Sequence, residues 1–115
     1  MGTWDAGPFN NDAALDFVGG LIDSLTEPID DFLESPEIDE TFDASFAAIA
    51  VLNTIMQRCV SRPYRDGGYP AHQIADAMIK CFDEQIDGME PDDDFRTQHR
   101  ASLVAELTTF VQLCG

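Results

Sequence analysis

The most apolar stretch of the chain lies at its centre, over residues 42–60, with the sequence FDASFAAIAVLNTIMQRCV. On a helix of about 100° per residue, its large apolar side chains fall on two sides and alanines fill the gaps. Other helices pack against a helix that is apolar nearly all round. We therefore predict a central helix here. Its one polar intruder, Asn53, is expected to be a buried amide hydrogen-bonded to neighbouring backbone.

A first helix is predicted from a cap at Asn10 or Asn11 to about Leu25. Its three- and four-residue spacing predicts one apolar stripe. The residues of that stripe are Ala14, Phe17, Val18, Leu21, Ile22 and Leu25. The pair Gly19–Gly20 costs helix stability, about 1 kcal/mol for each glycine. Such a cost indicates close packing against another backbone, or a local kink.

A short second helix is predicted from a cap at Thr26 to Ser35, with Pro28 in its first turn. Two longer helices follow the loop 61–70, over residues 71–86 and 93–114. No stretch shows the alternation typical of a strand. The pattern predicts an all-α bundle of four main helices plus one short helix. We expect a single domain over residues 1–115, with the N-terminal arm packed on the bundle.

The charge is extreme and unevenly distributed. The chain carries 22 acidic residues against 6 basic ones, a net charge of −16, and no Lys or Arg precedes Arg58. An apolar fraction of 44% is sufficient for a folded core despite this charge. The negative field disfavours direct binding to nucleic acid and favours a basic partner protein, or serves solubility. No apolar run is long enough to span a membrane and no signal peptide is recognisable, so we expect a cytoplasmic protein.

Acidic residues concentrate on the first two predicted helices. Asp12, Asp16 and Asp23 fall within about 40° of one another on the face opposite the apolar stripe. The short helix adds Asp30, Asp31 and Glu34. These six residues form a candidate docking face for a basic protein. The alternative is that they serve solubility alone.

The loop 61–70 carries the chain's single cluster of basic and aromatic residues. Its members are Arg62, Tyr64, Arg65 and Tyr69. Arginine and aromatic side chains are enriched at interface hot spots, so this loop is a second candidate contact site. The alternative is a loop whose arginines pair with the surplus acids.

No catalytic or metal-binding pattern stands out, so no cofactor and no metal are expected. The three cysteines are widely spaced, which predicts reduced, buried thiols. His72 is expected to be solvated, and His99 to be packed and hydrogen-bonded. The connector over residues 87–94 lacks the ligand order of a calcium loop. We expect Asp92 and Arg96 to pair across one helical turn.

The N-terminal run MGTWDAGPFNNDAALDF resembles the opening of the DUF4259 family, a bacterial family of unknown function. The matching residues are Gly2, Trp4, Gly7, Phe9, Asn11, Asp12, Ala14, Asp16 and Phe17. Asp5 stands where the family usually has Gly. The resemblance implies a small, intracellular, mainly helical protein with no established activity. The sequences of the family look like those of small acidic immunity proteins.

We interpret the motif as structural. Trp4 and Phe9 would pin the arm to the helices, and Asp12 and Asp16 would stand at the exposed start of the first helix. The function that the sequence favours is a small acidic protein-binding module, of the immunity type, that neutralises a basic toxin or nuclease. The alternatives are a carboxylate-based metal-dependent enzyme and a DNA-mimic inhibitor.

Overall fold

A computed structural model describes residues 12–58, Pro63 and residues 71–114. Within these ranges the chain forms four α-helices and a 3₁₀ turn, with no strand. In chain order they are α1 (Asp12–Glu34), α2 (Glu40–Met56), α3 (Ala71–Gln85), the 3₁₀ turn Ile86–Met89 and α4 (Asp93–Cys114). The predicted all-α bundle is confirmed.

Some of the predicted features lie outside the described residues. They are the N-terminal arm with Trp4, Gly7, Phe9 and Asn11, the loop cluster Arg62, Tyr64, Arg65 and Tyr69, and the thiol of Cys59.

The separate short helix predicted from Thr26 is wrong, because α1 runs through Pro28 without a break. The apolar stripe stays in phase across the proline, and Ile29 and Phe32 are completely buried beyond it. A proline inside a helix costs about 3 kcal/mol. Burying Ile29 and Phe32 offsets that cost, at about 1.5–3 kcal/mol for each side chain. The Thr26 hydroxyl donates to the Asp23 carbonyl at 2.7 Å instead of capping a new helix.

The apolar stripe of α1 is narrower than predicted. Val18 and Ile22 are buried, but Phe17 is 69% exposed and Leu21 is 43% exposed. Among the described residues the expectation of close packing at Gly19–Gly20 is also wrong, since a Cβ added at Gly19 or Gly20 meets none of their atoms within 4 Å. The glycines and these two apolar residues therefore leave part of α1 open.

The central helix α2 is capped by Asp39, whose Oδ1 accepts hydrogen bonds from the backbone N–H groups of Thr41 (2.8 Å) and Phe42 (3.3 Å). The Phe42 ring contacts Phe32 of α1 and Phe82 of α3, with centroid distances of 5.6 and 6.5 Å. Val51 lies on a side of α2 that is open to solvent. α2 is therefore buried on the sides that face other helices and exposed on the side that carries Val51.

Each helix packs on neighbours in a closed order: α1 on α2, α2 on α4, α4 on α3, and α3 on α1. Gln85, at the end of α3, ties in the connection between α1 and α2. Its Oε1 accepts from the Ile38 N–H at 2.9 Å and its Nε2 donates to the Pro36 carbonyl at 3.0 Å. Glu90, with φ of 52°, then ends the 3₁₀ turn in the left-handed region.

Gly20 lies in open space inside a helix, so Gly20→Ala should raise the free energy of unfolding by about 0.5–1 kcal/mol. The reason is that alanine loses less backbone entropy on folding and its Cβ meets no neighbour in the part of the chain that the structure describes. Urea denaturation of the two proteins measures the difference. A less stable Gly20→Ala variant would show that another part of the chain packs against this glycine.

Candidate functional site

Because α1 is unbroken, it aligns acidic residues that the sequence pattern assigned to two separate helices. At about 100° per residue, six of them fall within about 60° of helix surface. We call this set the acidic stripe, and its members are Asp12, Asp16, Asp23, Glu27, Asp30 and Glu34. All are exposed except Asp30, which is half-buried. The acidic stripe follows α1 for about 33 Å, at 1.5 Å per residue.

One predicted site residue falls outside the acidic stripe, and one residue that was not predicted belongs to it. Asp31 is exposed but lies about 70° around α1 from the centre of the acidic stripe, so it does not belong to it. Glu27, which sequence reasoning missed, does belong. Glu27 lies four residues after Asp23 and three before Asp30, a spacing that places it on the same helix face. This signal is informative only if α1 continues through Pro28.

An apolar edge, which we define as Phe17 and Leu21, runs beside the acidic stripe. The two residues are one helical turn apart and are the exposed large apolar residues of α1. Gly20 is exposed and lies between the apolar edge and the acidic stripe around the helix. The outer face of α1 therefore combines an acidic side, a backbone without side-chain cover and an apolar side.

Three acids of α3, the 3₁₀ turn and α4 form ion pairs with arginines of α4. Arg100 pairs with Asp83 at 2.8 Å, and Arg96 contacts Asp87 at 2.6 Å and Asp93 at 2.9 Å. The predicted side-chain pairing of Arg96 with Asp92 is wrong; Asp92 instead accepts the Arg96 backbone N–H through its carbonyl at 2.9 Å. The longer reach to Asp87 is available because the 3₁₀ turn brings that residue beside α4.

These ion pairs border a groove of about 470 Å³ between α3 and α4. The hydrogen bond from Arg100 holds the pKa of Asp83 below its ordinary value. A lowered folded-state pKa stabilises the fold above the ordinary carboxyl pKa, and this contribution is lost as the pH falls through the lowered value. The charges at this groove thus serve the contact between α3 and α4.

The two histidines differ in environment. His72 is exposed, as expected. His99 is packed among aromatic rings, stacked on Phe82 at 5.3 Å and edge-on to Phe46 and Phe95 at 5.6 and 5.2 Å. The expected hydrogen bond is missing at one nitrogen: His99 Nε2 is buried with no partner among the described residues. His99 is therefore a ring of the core's aromatic cluster.

Asn53 is buried, with 3% exposure, and its amide nitrogen is hydrogen-bonded as predicted, whereas Oδ1 is buried with no partner among the described residues. The partner is on α4 and not on a neighbouring turn: Nδ2 donates to the Glu106 carbonyl and to Glu106 Oε2, both at 2.8 Å. The pair joins α2 to α4 and gives Asn53 a structural role.

The prediction of buried thiols is confirmed for Cys81, which is 3% exposed. It is met only partly by Cys114, which is half-buried. Burial, reinforced by the negative charges of Glu84, Asp39 and Glu37, raises the pKa of the Cys81 thiol. Among the residues described, no three His, Cys, Asp or Glu side chains are grouped so as to hold a metal ion.

The family resemblance of the N-terminal motif is supported by an independent comparison. The model of the family described as a domain of unknown function, DUF4259, matches residues 2–109 of the chain. The chain belongs to the DUF4259 family. No curated protein and no solved structure gives a match. In the described part of this DUF4259 chain, no helix has the length and apolar character needed to cross a membrane.

Asn53→Ala should lower the free energy of unfolding by about 2–4 kcal/mol, because it leaves a cavity and removes both hydrogen bonds that Asn53 donates to Glu106 between α2 and α4. Thr54→Ala is the control, since Thr54 is exposed on the same helix and its hydroxyl donates to the Ala50 carbonyl of its own preceding turn. It should change stability by less than about 0.5 kcal/mol. Equal effects of the two substitutions in urea denaturation would refute the role of Asn53.

Cys81 should alkylate far more slowly than Cys114 in the native protein at about pH 8, because its thiol is buried and its raised pKa lowers the thiolate fraction. Iodoacetamide labelling followed by peptide mass spectrometry measures both rates. In denaturant the two rates should converge. Similar native rates would contradict the burial of Cys81.

Proposed function

We propose that this chain is a protein-binding module whose acidic stripe recognises a basic protein, in the manner of an immunity protein that neutralises a basic toxin or nuclease in the cytoplasm. The observation that carries the proposal is the continuity of α1, which sets six carboxylates in one line. No base occurs in the first 57 residues of the chain to balance them within α1 or α2.

A line of like charges has a physical cost and a physical use. The carboxylates repel one another, so the fold gives up some stability by keeping them together. In return, their summed field accelerates the approach of a positively charged surface and weakens as salt screens it. Arg96 and Arg100 show that charges which hold this fold together are paired across helices. The acids of the acidic stripe instead share one face of a single helix, which supports a role toward a partner.

The apolar edge supplies what charge alone lacks. Charged residues steer an encounter and set its salt dependence, whereas buried apolar anchors contribute much of the lasting affinity. Phe17 and Leu21 are available for such contact beside the acidic stripe. The outer face of α1 thus has both components of a binding surface.

The test is capture of basic proteins from a native lysate of the source cells. The stripe variant carries Asp12→Asn, Asp16→Asn and Asp23→Asn. Its matched control carries Glu84→Gln, Asp92→Asn and Asp94→Asn. All three acids are exposed: Glu84 lies in α3, Asp92 immediately precedes α4 and Asp94 lies in α4. Both variants lose the same net charge, so they separate the effect of position from that of total charge.

We expect the wild-type protein and the control to capture a basic protein at about 0.05 M salt and to release it at about 0.5 M, where the Debye length is a few ångströms. The stripe variant should capture less, and association of the purified partner should be slower and less dependent on salt. If the stripe variant and the control bind alike, the acidic stripe is a solubility feature and the proposal fails.

A further inference from the structure

We infer that the partner segment which docks on α1 is a basic amphipathic helix, lying alongside the outer face with its apolar side on Phe17 and Leu21 and its cations on the acidic stripe. The inference rests on the proposed function, and it names the kind of segment that this face fits. Three independent features of the face lead to it.

The first feature is the spacing of the apolar edge. Phe17 and Leu21 are four residues apart, so they stand one above the other on a single helix. Amphipathic helices are recognised through anchors spaced by three and four residues. A partner helix can place two such anchors against the apolar edge at once.

The second feature is Gly20, which stands between the apolar edge and the acidic stripe. A Cβ there would meet no atom of the described residues within 4 Å, so packing among them does not explain a residue that weakens the helix. A glycine permits close approach of another backbone. Helix axes approach to 8–10 Å according to the side chains at the contact, and Gly20 allows the near end of that range.

The third feature is charge. The acidic stripe extends along α1 for about 33 Å, which is the length of a helix of about 22 residues. Lysines or arginines along one side of a parallel partner helix could meet it throughout. A second copy of this chain is the wrong occupant, because each copy carries a net charge of −16 and docking would bring two acidic stripes together.

The experiment uses two synthetic 18-residue peptides of identical leucine and lysine composition. One is ordered to form an amphipathic helix and the other is scrambled so that leucine and lysine mix on every face. Fluorescence anisotropy measures the affinity of the full chain for each. The wild-type protein should bind the amphipathic peptide about tenfold more tightly, since apolar burial adds to charge only in that peptide.

Phe17→Ser with Leu21→Ser should reduce this preference to about onefold while leaving salt-dependent binding of the scrambled peptide. Met89→Ser is the matched control, because Met89 is likewise an exposed apolar residue, with 60% exposure, but it lies in the 3₁₀ turn. It should leave the preference unchanged. Gly20→Gln should keep or raise thermal stability, yet weaken binding of the amphipathic peptide about threefold or more, because its side chain covers the backbone.

Equal affinity for the two peptides, with both lost in the Asp12→Asn, Asp16→Asn, Asp23→Asn variant, would overturn the inference and leave the proposed function standing. Binding that is indifferent to those three substitutions would overturn both. A wild-type dimer in sedimentation that Phe17→Ser with Leu21→Ser dissolves would also overturn the inference, because the face would then serve self-association.

Discussion

The burial of Ile29 and Phe32 beyond Pro28 is the constraint on which the rest of the structure depends. Both side chains are completely buried, and Phe32 meets the Phe42 ring of α2 at 5.6 Å. The two side chains stay in phase with Val18 and Ile22 only if the helix passes through the proline unbroken. Tertiary packing thus overrides a strong local preference for a break.

The consequences extend inward and outward from this helix. Inward, Phe42 links α1 to α2 and, through Phe82, to α3, while Gln85 fixes the connection that follows α1. Outward, the same continuity sets the acids of α1 in one line and places the apolar edge beside them. The core and the candidate docking face therefore have one physical origin, which is the unbroken course of α1.

The sequence predicts the helical class and most helix positions, because three- and four-residue apolar spacing depends on local pattern alone. It also predicts the buried amide of Asn53 and the exposure of Asp12, Asp16 and Asp23. It fails at Pro28, where the local signal and the packing disagree. Once the helix is wrongly divided, Glu27 is lost from the acidic stripe.

Other failures have the same character, since they depend on neighbours that are distant in the chain. The apolar character of Phe17 and Leu21 predicts burial, but no described helix covers them. The choice of Asp87 over Asp92 by Arg96 requires the 3₁₀ turn after α3. Likewise, two of the three rings around His99 come from other helices, Phe46 from α2 and Phe82 from α3. The site is harder to predict than the fold because a binding face is defined by what the core leaves uncovered.

The continuity of α1 can be measured directly by NMR of the full chain. Our account predicts uninterrupted helical Cα chemical shifts from Ile22 to Phe32, with slowly exchanging amides at Ile22 and Phe32 alike, because both are buried in one helix. Non-helical shifts at residues 25–27, with fast exchange at Phe32, would show two helices joined at Pro28. The acidic stripe would then not exist as one surface, and the central claim would be wrong.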